Sequence, residues 1–480
     1  MPASFHSPKD LARAVYSELK MRGSTCPPLV VLNHLFESMY FASLKSEESQ
    51  PITFDVVYLN PNNPDPHPPR RIRKDRWSYV RFDKAIPITI ANLAKVAKAS
   101  DPRTSSFAVY HDKHGQLISW GLIDQGIRYY DFVNYSSDSG PERPGLFQAS
   151  IAGVGHLVAQ VGYEKIAELK TGTLVRKELN VLQEGPVRDK LKSGILTYLE
   201  KVKHALPNKV YTDRTHWDAS LTRIWIESLC RLLLRAKSYR HGGAILITPD
   251  TSLGKLKIKY RTNYPRLHSA LVTQAILDVS RIHAFDKIII ESFQRISDRT
   301  QKPIPVRIPG DRKPRKRPRI NDEALLDLYR EVVHLEDELD DNRNELDGAI
   351  WFISLLTRVD GLVLLNQNLE VLGFGVEITS DKVPSNIFMS GDRLASVNRL
   401  RRIDYNHYGT RHRSMMRYCS QHPESIGFVI SQDGDVRVIT QVRSKLAMWE
   451  NIKLQLPKFV RHRLKRAQRS KAVPTDFPFL

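Results

Sequence analysis

Apolar positions recur every three to four residues at the start of the chain, at Leu11, Val15 and Leu19 and again across 29–40, a spacing that predicts two helices. A Pro- and Asn-rich stretch, NPNNPDPHPPRR at 60–71, comes next, and prolines at that density continue neither helix nor strand. Beyond it the pattern becomes alternation. Residues 106–124 (SFAVYHDKHGQLISWGLID) set two alternating runs around Lys113, His114 and Gly115, which predicts a hairpin. Residues 146–162 and 167–175 read as further strands. Helical spacing returns at Leu221, Trp225, Leu229 and Leu232, with Asp218 as a candidate N-cap and Gly242-Gly243 as the stop. AILIT at 244–248 reads as a buried strand and LKIKY at 256–260 as a half-exposed one. A helix is expected from Tyr264-Pro265 to about His283, then a short strand at 287–292 (KIIIES). Residues 297–320 are rich in Pro and Arg and read as a mobile loop, and 321–348 as an acidic helix.

These elements predict a mixed α/β chain. A β-rich α+β unit occupies 1–180, a helical linker 181–217, and a mixed β-sheet flanked by helices 218–456, with an insertion at about 285–350 and a basic tail at 457–480. A length of 480 residues suits two or three domains. Hydrophobic residues at 41% and charged residues at 26% exclude wholesale disorder. Cys26, Cys230 and Cys419 are scattered, odd in number and without zinc spacing, so they read as buried or free thiols. No apolar run approaches the ~18–20 residues that span a bilayer, and the N-terminus lacks a secretory apolar core. A cytoplasmic protein without a membrane partner is expected.

Charge adds one constraint. The formal net charge of +21 gathers partly at 70–74, 312–319 and 461–471. Such an excess attracts anions, nucleotides and nucleic acid among them. A nucleic-acid partner rests on charge alone, because no base-reading element is recognisable, and the acidic helix can neutralise the basic loop before it.

Two local features carry chemistry. Asp360-Gly361 precedes an apolar run (362–365), a turn at Asn366-Gln367-Asn368 and a second apolar run, which reads as strand, turn, strand. A carboxylate beside a glycine at a strand mouth can approach a metal or a sugar hydroxyl, although Asp-Gly is most often a plain turn. Gly409-Thr410-Arg411-His412-Arg413 leads into a helical stretch. Such an entry offers amide N–H groups, a hydroxyl and forked guanidinium donors to a phosphate, although on its own it is more often a basic segment on a solvated helix face.

Together and in this order, the two features resemble the Asp-Gly-Ala and Gly-Thr-Arg-His-Arg motifs of the diadenylate cyclase domain. His241-Gly242-Gly243 with the strand after it, and the run from Ser425 to Ser431-Gln432, are similar to further strands of that domain. Asp347-Gly348-Ala349 spells the first tripeptide more faithfully, yet Trp351, Leu355 and Val359 repeat every four residues behind it, so it reads as a helix start and Asp360 is preferred. Leu362 stands where the family has alanine, at a point where it would crowd the nucleotide. Met415 and Met416 stand where it has small residues, and read as core. The whole chain, with its β-rich first unit, resembles the bacterial DAC-related sensor proteins of the DACNV group.

The resemblance implies condensation of two ATP into cyclic di-AMP with loss of pyrophosphate. It implies Asp360 as the catalytic acid and ligand of Mg2+ or Mn2+. Nucleotide contacts would come from Gly361, Gly409, Thr410, Arg411, His412, Arg413 and Ser431, and two copies would face each other as a homo-oligomer. Two other functions remain open at this point: a non-catalytic sensor of ATP or a cyclic dinucleotide, and a basic nucleic-acid-binding protein.

Overall fold

A computed structural model describes residues 5–23, 26–47, 50–64, 78–101, 104–124, 146–161, 164–175, 178–207, 217–249, 253–300, 322–432 and 435–454. The basic clusters at 70–74, 312–319 and 461–471, most of the Pro-rich stretch and the expected tail lie outside the described residues. The chain is mixed α/β and divides into two compact units between Leu174 and Val175.

The first unit opens with α1 (Pro8–Arg22), started by a reciprocal box in which Ser7 N–H donates to the Asp10 carboxylate, and stopped by Gly23 at φ 62°. Then come α2 (Leu29–Ser43), the short pair β1 (Ser46–Glu47) and β2 (Gln50–Pro51), β3 (Asp55–Tyr58), β4 (Ser78–Pro87), α3 (Ile90–Val96), β5 (Ser105–His111), β6 (Leu117–Asp124), β7 (Phe147–Gly153), β8 (His156–Val161), β9 (Glu164–Lys170) and β10 (Thr173–Val175). Eight strands form one sheet in the order β10-β9-β8-β7-β3-β5-β6-β4. The expected hairpin is β5–β6, turned where Asp112 accepts from the His114 and Gln116 amides. β3 pairs with β5 in parallel and with β7 antiparallel. Leu11, Val15, Leu32 and Phe36 of the helices bury against Phe54, Phe107 and Phe147 of the sheet.

The second unit contains α4 (Pro186–Lys190), α5 (Lys192–Ala205), α6 (Trp217–Ser238), β11 (Gly243–Ile247), β12 (Leu256–Tyr264), α7 (Arg266–Thr300), α8 (Asp322–Leu356), β13 (Leu362–Leu365), β14 (Val371–Ile378), β15 (Ile387–Ser390), β16 (Leu400–Arg402), α9 (Thr410–Gln421), β17 (Ile426–Ile430), β18 (Val436–Val442) and β19 (Lys445–Trp449). Its nine-stranded sheet runs β12-β14-β13-β11-β17-β18-β19-β15-β16. β11 is parallel to β13 and antiparallel to β17.

Three local expectations change. KIIIES at 287–292 is not a strand but part of α7, because Ala284 and Ile288, one helical turn apart, bury against Val332 of α8. The same helix runs on through Thr300, so 297–300 are not loop. Asp347-Gly348-Ala349 lies within α8 rather than at a helix start. Antiparallel packing of α7 on α8 is fixed along its length by Arg266 with Glu345, Arg281 with Glu336 and Arg295 with Asp322. The described part of 181–217 packs into the second unit. Ile195, Tyr198 and Val202 of α5 are buried, Lys201 Nζ lies 2.9 Å from His268 Nε2 of α7, and a Cβ on Gly194 would fall 1.7 Å from the Gln367 carbonyl.

Candidate functional site

Topology gathers the motif residues at one end of the second sheet. β11 and β13 start there, and β17, antiparallel to β11, ends there. β14, antiparallel to β13, pairs Val376 with Leu362 at the same end. Gly242, Asp360, Gly375 and Ser431 therefore share one rim, and α9 begins beside it.

Asp360 is almost fully exposed, with a side chain 94% accessible, and its Oδ1 lies 3.9 Å from Arg411 Nη2. The chain reaches this arrangement through close backbone approaches. Gly361 has φ 108°, and a Cβ there would fall 2.6 Å from the Gly375 carbonyl carbon and 2.8 Å from Val376 N. Gly242 has φ 72°, and a Cβ on it would meet Arg411 Nη1 at 3.0 Å. Glycine at 242 thus leaves the path along which Arg411 reaches Asp360.

The remaining predicted residues separate into three environments. Gly409 is the N-cap of α9 and supplies no side-chain oxygen to the first-turn amides; Thr410 beside it is exposed. Arg413 turns toward Tyr405, its guanidinium carbon 6.0 Å from the ring centroid. His412 turns inward: it is 8% exposed and its Nε2 lies 3.0 Å from Arg437 Nη1. Burial, and then the Arg437 charge, push its pKa down to about 4. A neutral ring accepts that hydrogen bond, while Arg437 also donates to Glu450 at 2.7 Å. His412 is expected among the nucleotide contacts; with its ring turned to Arg437, this geometry supports a role in anchoring the helix start. Ser431 Oγ accepts from the Asp435 amide at 3.1 Å and closes the β17–β18 turn.

Other residues join the rim without having been signalled by a motif. Lys259 of β12 donates to Glu377 at 2.6 Å. That hydrogen bond, with the Glu377 charge next and Asp360 as a smaller contributor, holds its ammonium above the usual range. Tyr260 stacks on Phe374 with centroids 4.8 Å apart, and its ring lies over Gly375. The available signal was Gly373-Phe374-Gly375 inside a strand, since strand glycines mark close approach. The competing Asp347 is remote in chemistry as well as in placement, because its carboxylate is paired with Arg231.

The departures from the family pattern have structural answers. Leu362 is 5% exposed and packs into the core under α9, so it does not crowd the rim. Met415 and Met416 are fully buried in the same core. Gly427 makes room for Met415, since a Cβ there would fall 2.2 Å from Met415 Cγ.

The molecule is thus a mixed α/β protein in which a sheet-and-helix first unit precedes a second unit whose sheet rim unites a carboxylate with an arginine. Comparison with known families makes the first unit more specific. Residues 22–124, from the end of α1 to the end of β6, match the family described as "Probable sensor domain DACNV", and the chain carries a DACNV-type sensor domain. No curated protein matches the chain, and no solved structure does. Among the described residues no helix is long and apolar enough to cross a membrane.

Proposed function

We propose that the second unit binds ATP at the 360/411 rim and, with two copies facing, condenses two ATP molecules into cyclic di-AMP. The observation that carries this reading is the meeting of Asp360 and Arg411, 51 positions apart in the sequence and 3.9 Å apart in space. In each half-reaction the 3′-oxygen of one nucleotide forms a bond to the α-phosphorus of the other. The bond from that phosphorus to the bridging oxygen of pyrophosphate breaks, and the hydroxyl proton passes to solvent. Two such steps release two pyrophosphates.

Positioning and charge neutralisation supply most of the rate in phosphoryl transfer. Arg411 and Thr410 are the groups to hold phosphate oxygens, and Arg413 extends the cationic face. His412, neutral and fixed on Arg437, sets the angle of the helix start. In this reading Asp360 would meet the 3′-hydroxyl of the facing nucleotide. Its near-complete exposure in one chain suits a site completed by a second copy. Mg2+ is typically held by one or two carboxylates together with substrate phosphates. Asp360 fits that share, and among the described residues no group of three or more His, Cys, Asp or Glu could hold an ion unaided. Asp360, together with the triphosphate oxygens, would hold magnesium or manganese, which would offset phosphate charge.

A second reading, a nucleotide sensor without turnover, is favoured by the DACNV-type domain and by the guanidinium that Asp360 already faces. Incubating the full chain with labelled ATP and manganese separates the two. The cyclase reading expects cyclic di-AMP from wild type and none from Asp360→Asn. ATP binding without any cyclic product would favour the sensor reading, and absence of binding by both ATP and cyclic di-AMP would overturn both.

A further inference from the structure

The antiparallel pair α7–α8 packs along one seam and carries apolar side chains on a second face as well. At the seam, Val332 of α8 buries against Ala284 and Ile288 of α7, with Leu325, Leu328 and Leu335 beside them, at the spacing of a helix–helix contact. Around the side of α8, Leu326, Tyr329 and Val333 repeat that spacing but stay 49%, 47% and 58% exposed. On α7, Phe285 is 45% exposed, and Ile289, one turn on, is half-buried. Two ion pairs place both rows on the same side. Arg281 Nη1 lies 3.6 Å from Glu336 Oε1, and Arg295 pairs with Asp322. Phe285 and Ile289 stand one and two turns from Arg281, Leu326 stands one turn from Asp322, and Val333 stands three residues from Glu336. Residues so spaced share a helix face. The result is an apolar strip closed at each end by one arginine and one carboxylate.

We propose that this strip is a contact between two copies of the chain, each laying its α7–α8 pair on the other's as a four-helix bundle. A solvated helix face is ordinarily polar, and a layer of helices with an apolar outer face buries it against another layer. The occupant is a second copy because the strip is complementary to itself. A two-fold axis parallel to the helices sets α7 of each copy over α8 of the other at the same level. Arg281 then meets Glu336 of the second copy, and Arg295 meets its Asp322. The antiparallel alternative sets Arg281 against Arg295 of the second copy and Glu336 against its Asp322, like against like. Charge therefore selects the parallel form. Fourteen positions separate Arg281 from Arg295, and Asp322 from Glu336, about 21 Å of helix. Across two helices, roughly 20 Å wide, the contact covers roughly 400 Å2 on each copy, the size class of reversible association. It uses none of the residues at the 360/411 rim and stands whether or not that rim binds a nucleotide.

The test is sedimentation velocity of the full chain without nucleotide, so that its outcome is independent of the ATP assay. Wild type is expected to pass from monomer to dimer as its concentration rises to about 100 μM. Val333→Glu puts a carboxylate into the strip of each copy and should weaken dimerisation roughly tenfold or more. Val333 is exposed, and an unchanged far-ultraviolet spectrum and melting profile report that the variant is folded. Orientation is read by charge reversal. Arg281→Glu and Glu336→Arg should each be less dimeric than wild type when alone, because each sets like charges opposite one another across the contact. Mixed in equal amounts they should form a heterodimer as readily as wild type dimerises, since every pairing of position 281 with position 336 across it is again opposite in sign. Wild type that stays monomeric over the whole range would overturn the inference. A dimer that Val333→Glu leaves intact would place the interface elsewhere and overturn it too. A mixture no more dimeric than its two components would refute the parallel pairing on which the choice of a second copy rests.

Discussion

Gly361→Ala tests the architecture of the rim most directly, because the change is one methyl group next to the acid. The added Cβ would sit 2.6 Å from the Gly375 carbonyl carbon, 2.8 Å from Val376 N and 2.9 Å from Gly375 Cα. All three are backbone atoms of β14, so no side chain can rotate away. The residue would also hold φ 108°, a conformation that costs a non-glycine residue ~1–3 kcal/mol. Forcing β14 aside adds a penalty of the kind seen for overpacking, ~1–3 kcal/mol. A destabilisation of roughly 2–6 kcal/mol follows for the second unit. With an m-value near 3 kcal/mol/M, the lower half of that range moves its urea midpoint down by about 1 M. Because the chain has two units, the assay must follow the second one separately. Fluorescence of Trp225 and Trp449, both buried there, reports on it in a variant whose other tryptophans are replaced. A midpoint within about 0.2 M of wild type would mean that β13 and β14 do not approach as described, and the placement of Asp360 would lose its basis.

Three further outcomes are expected. Asp347→Asn should leave nucleotide binding and any ATP turnover at wild-type values, since Asp347 is engaged with Arg231; a loss of activity comparable to that of Asp360→Asn would move the acid to position 347. His412 has a folded pKa of about 4, below its unfolded value, so the unfolded state binds more protons between about pH 4 and 6.5. Its contribution is complete above about pH 6.5 and is lost as pH falls to about 4, up to roughly 3 kcal/mol; replacing it with glutamine should flatten that part of the stability profile, and an unchanged acid limb would refute the buried neutral state. Gly427→Ala should destabilise by ~1–3 kcal/mol through collision with Met415, and Met415→Ala introduced alongside should cost less than it does in the wild-type background; strict additivity of the two in denaturant melts would show that they do not touch.

How much of the fold can be read from the chain depends on where each element finds its partner. β5–β6 and β7–β8 are hairpins whose partner strand is the next one along, and alternation with a turn signal suffices for them. The order β7-β3-β5 places a strand between two later ones, a non-local choice that no local pattern carries. Ile288, Ile289 and Ile290 form a short apolar run that suits a strand or a buried helix equally. What decides is Val332, 44 positions beyond Ile288 and packed against it. Gly348 reads as a helix boundary because glycine costs ~1 kcal/mol in a helix interior. Burial of Leu346, Ile350 and Ile353 on both sides outweighs that cost, and α8 continues through it.

The rim divides along the same line. Gly409 as a helix start and the strand-turn-strand after Asp360 follow from local pattern, whereas their convergence follows only from β17 running antiparallel to β11 and from α9 crossing under the sheet. His412 shows why a motif does not assign roles to its own members. Its neighbours in sequence are two arginines that face outward, yet its ring points to Arg437, 25 positions later, and there it becomes part of the scaffold. Arg411 and Asp360 are placed in the reverse manner. Neither is held by burial, and what aims them is missing volume, at Gly242 beside the guanidinium and at Gly361 under the carboxylate. In this unit Asp360 and Arg411 stay exposed and are aimed by glycines, while His412 is buried and holds the helix start still. Mutational scans should accordingly find Gly242 and Gly361 as intolerant of substitution as Asp360 itself, with loss of ligand binding at the glycines arising from misdirection of an intact side chain.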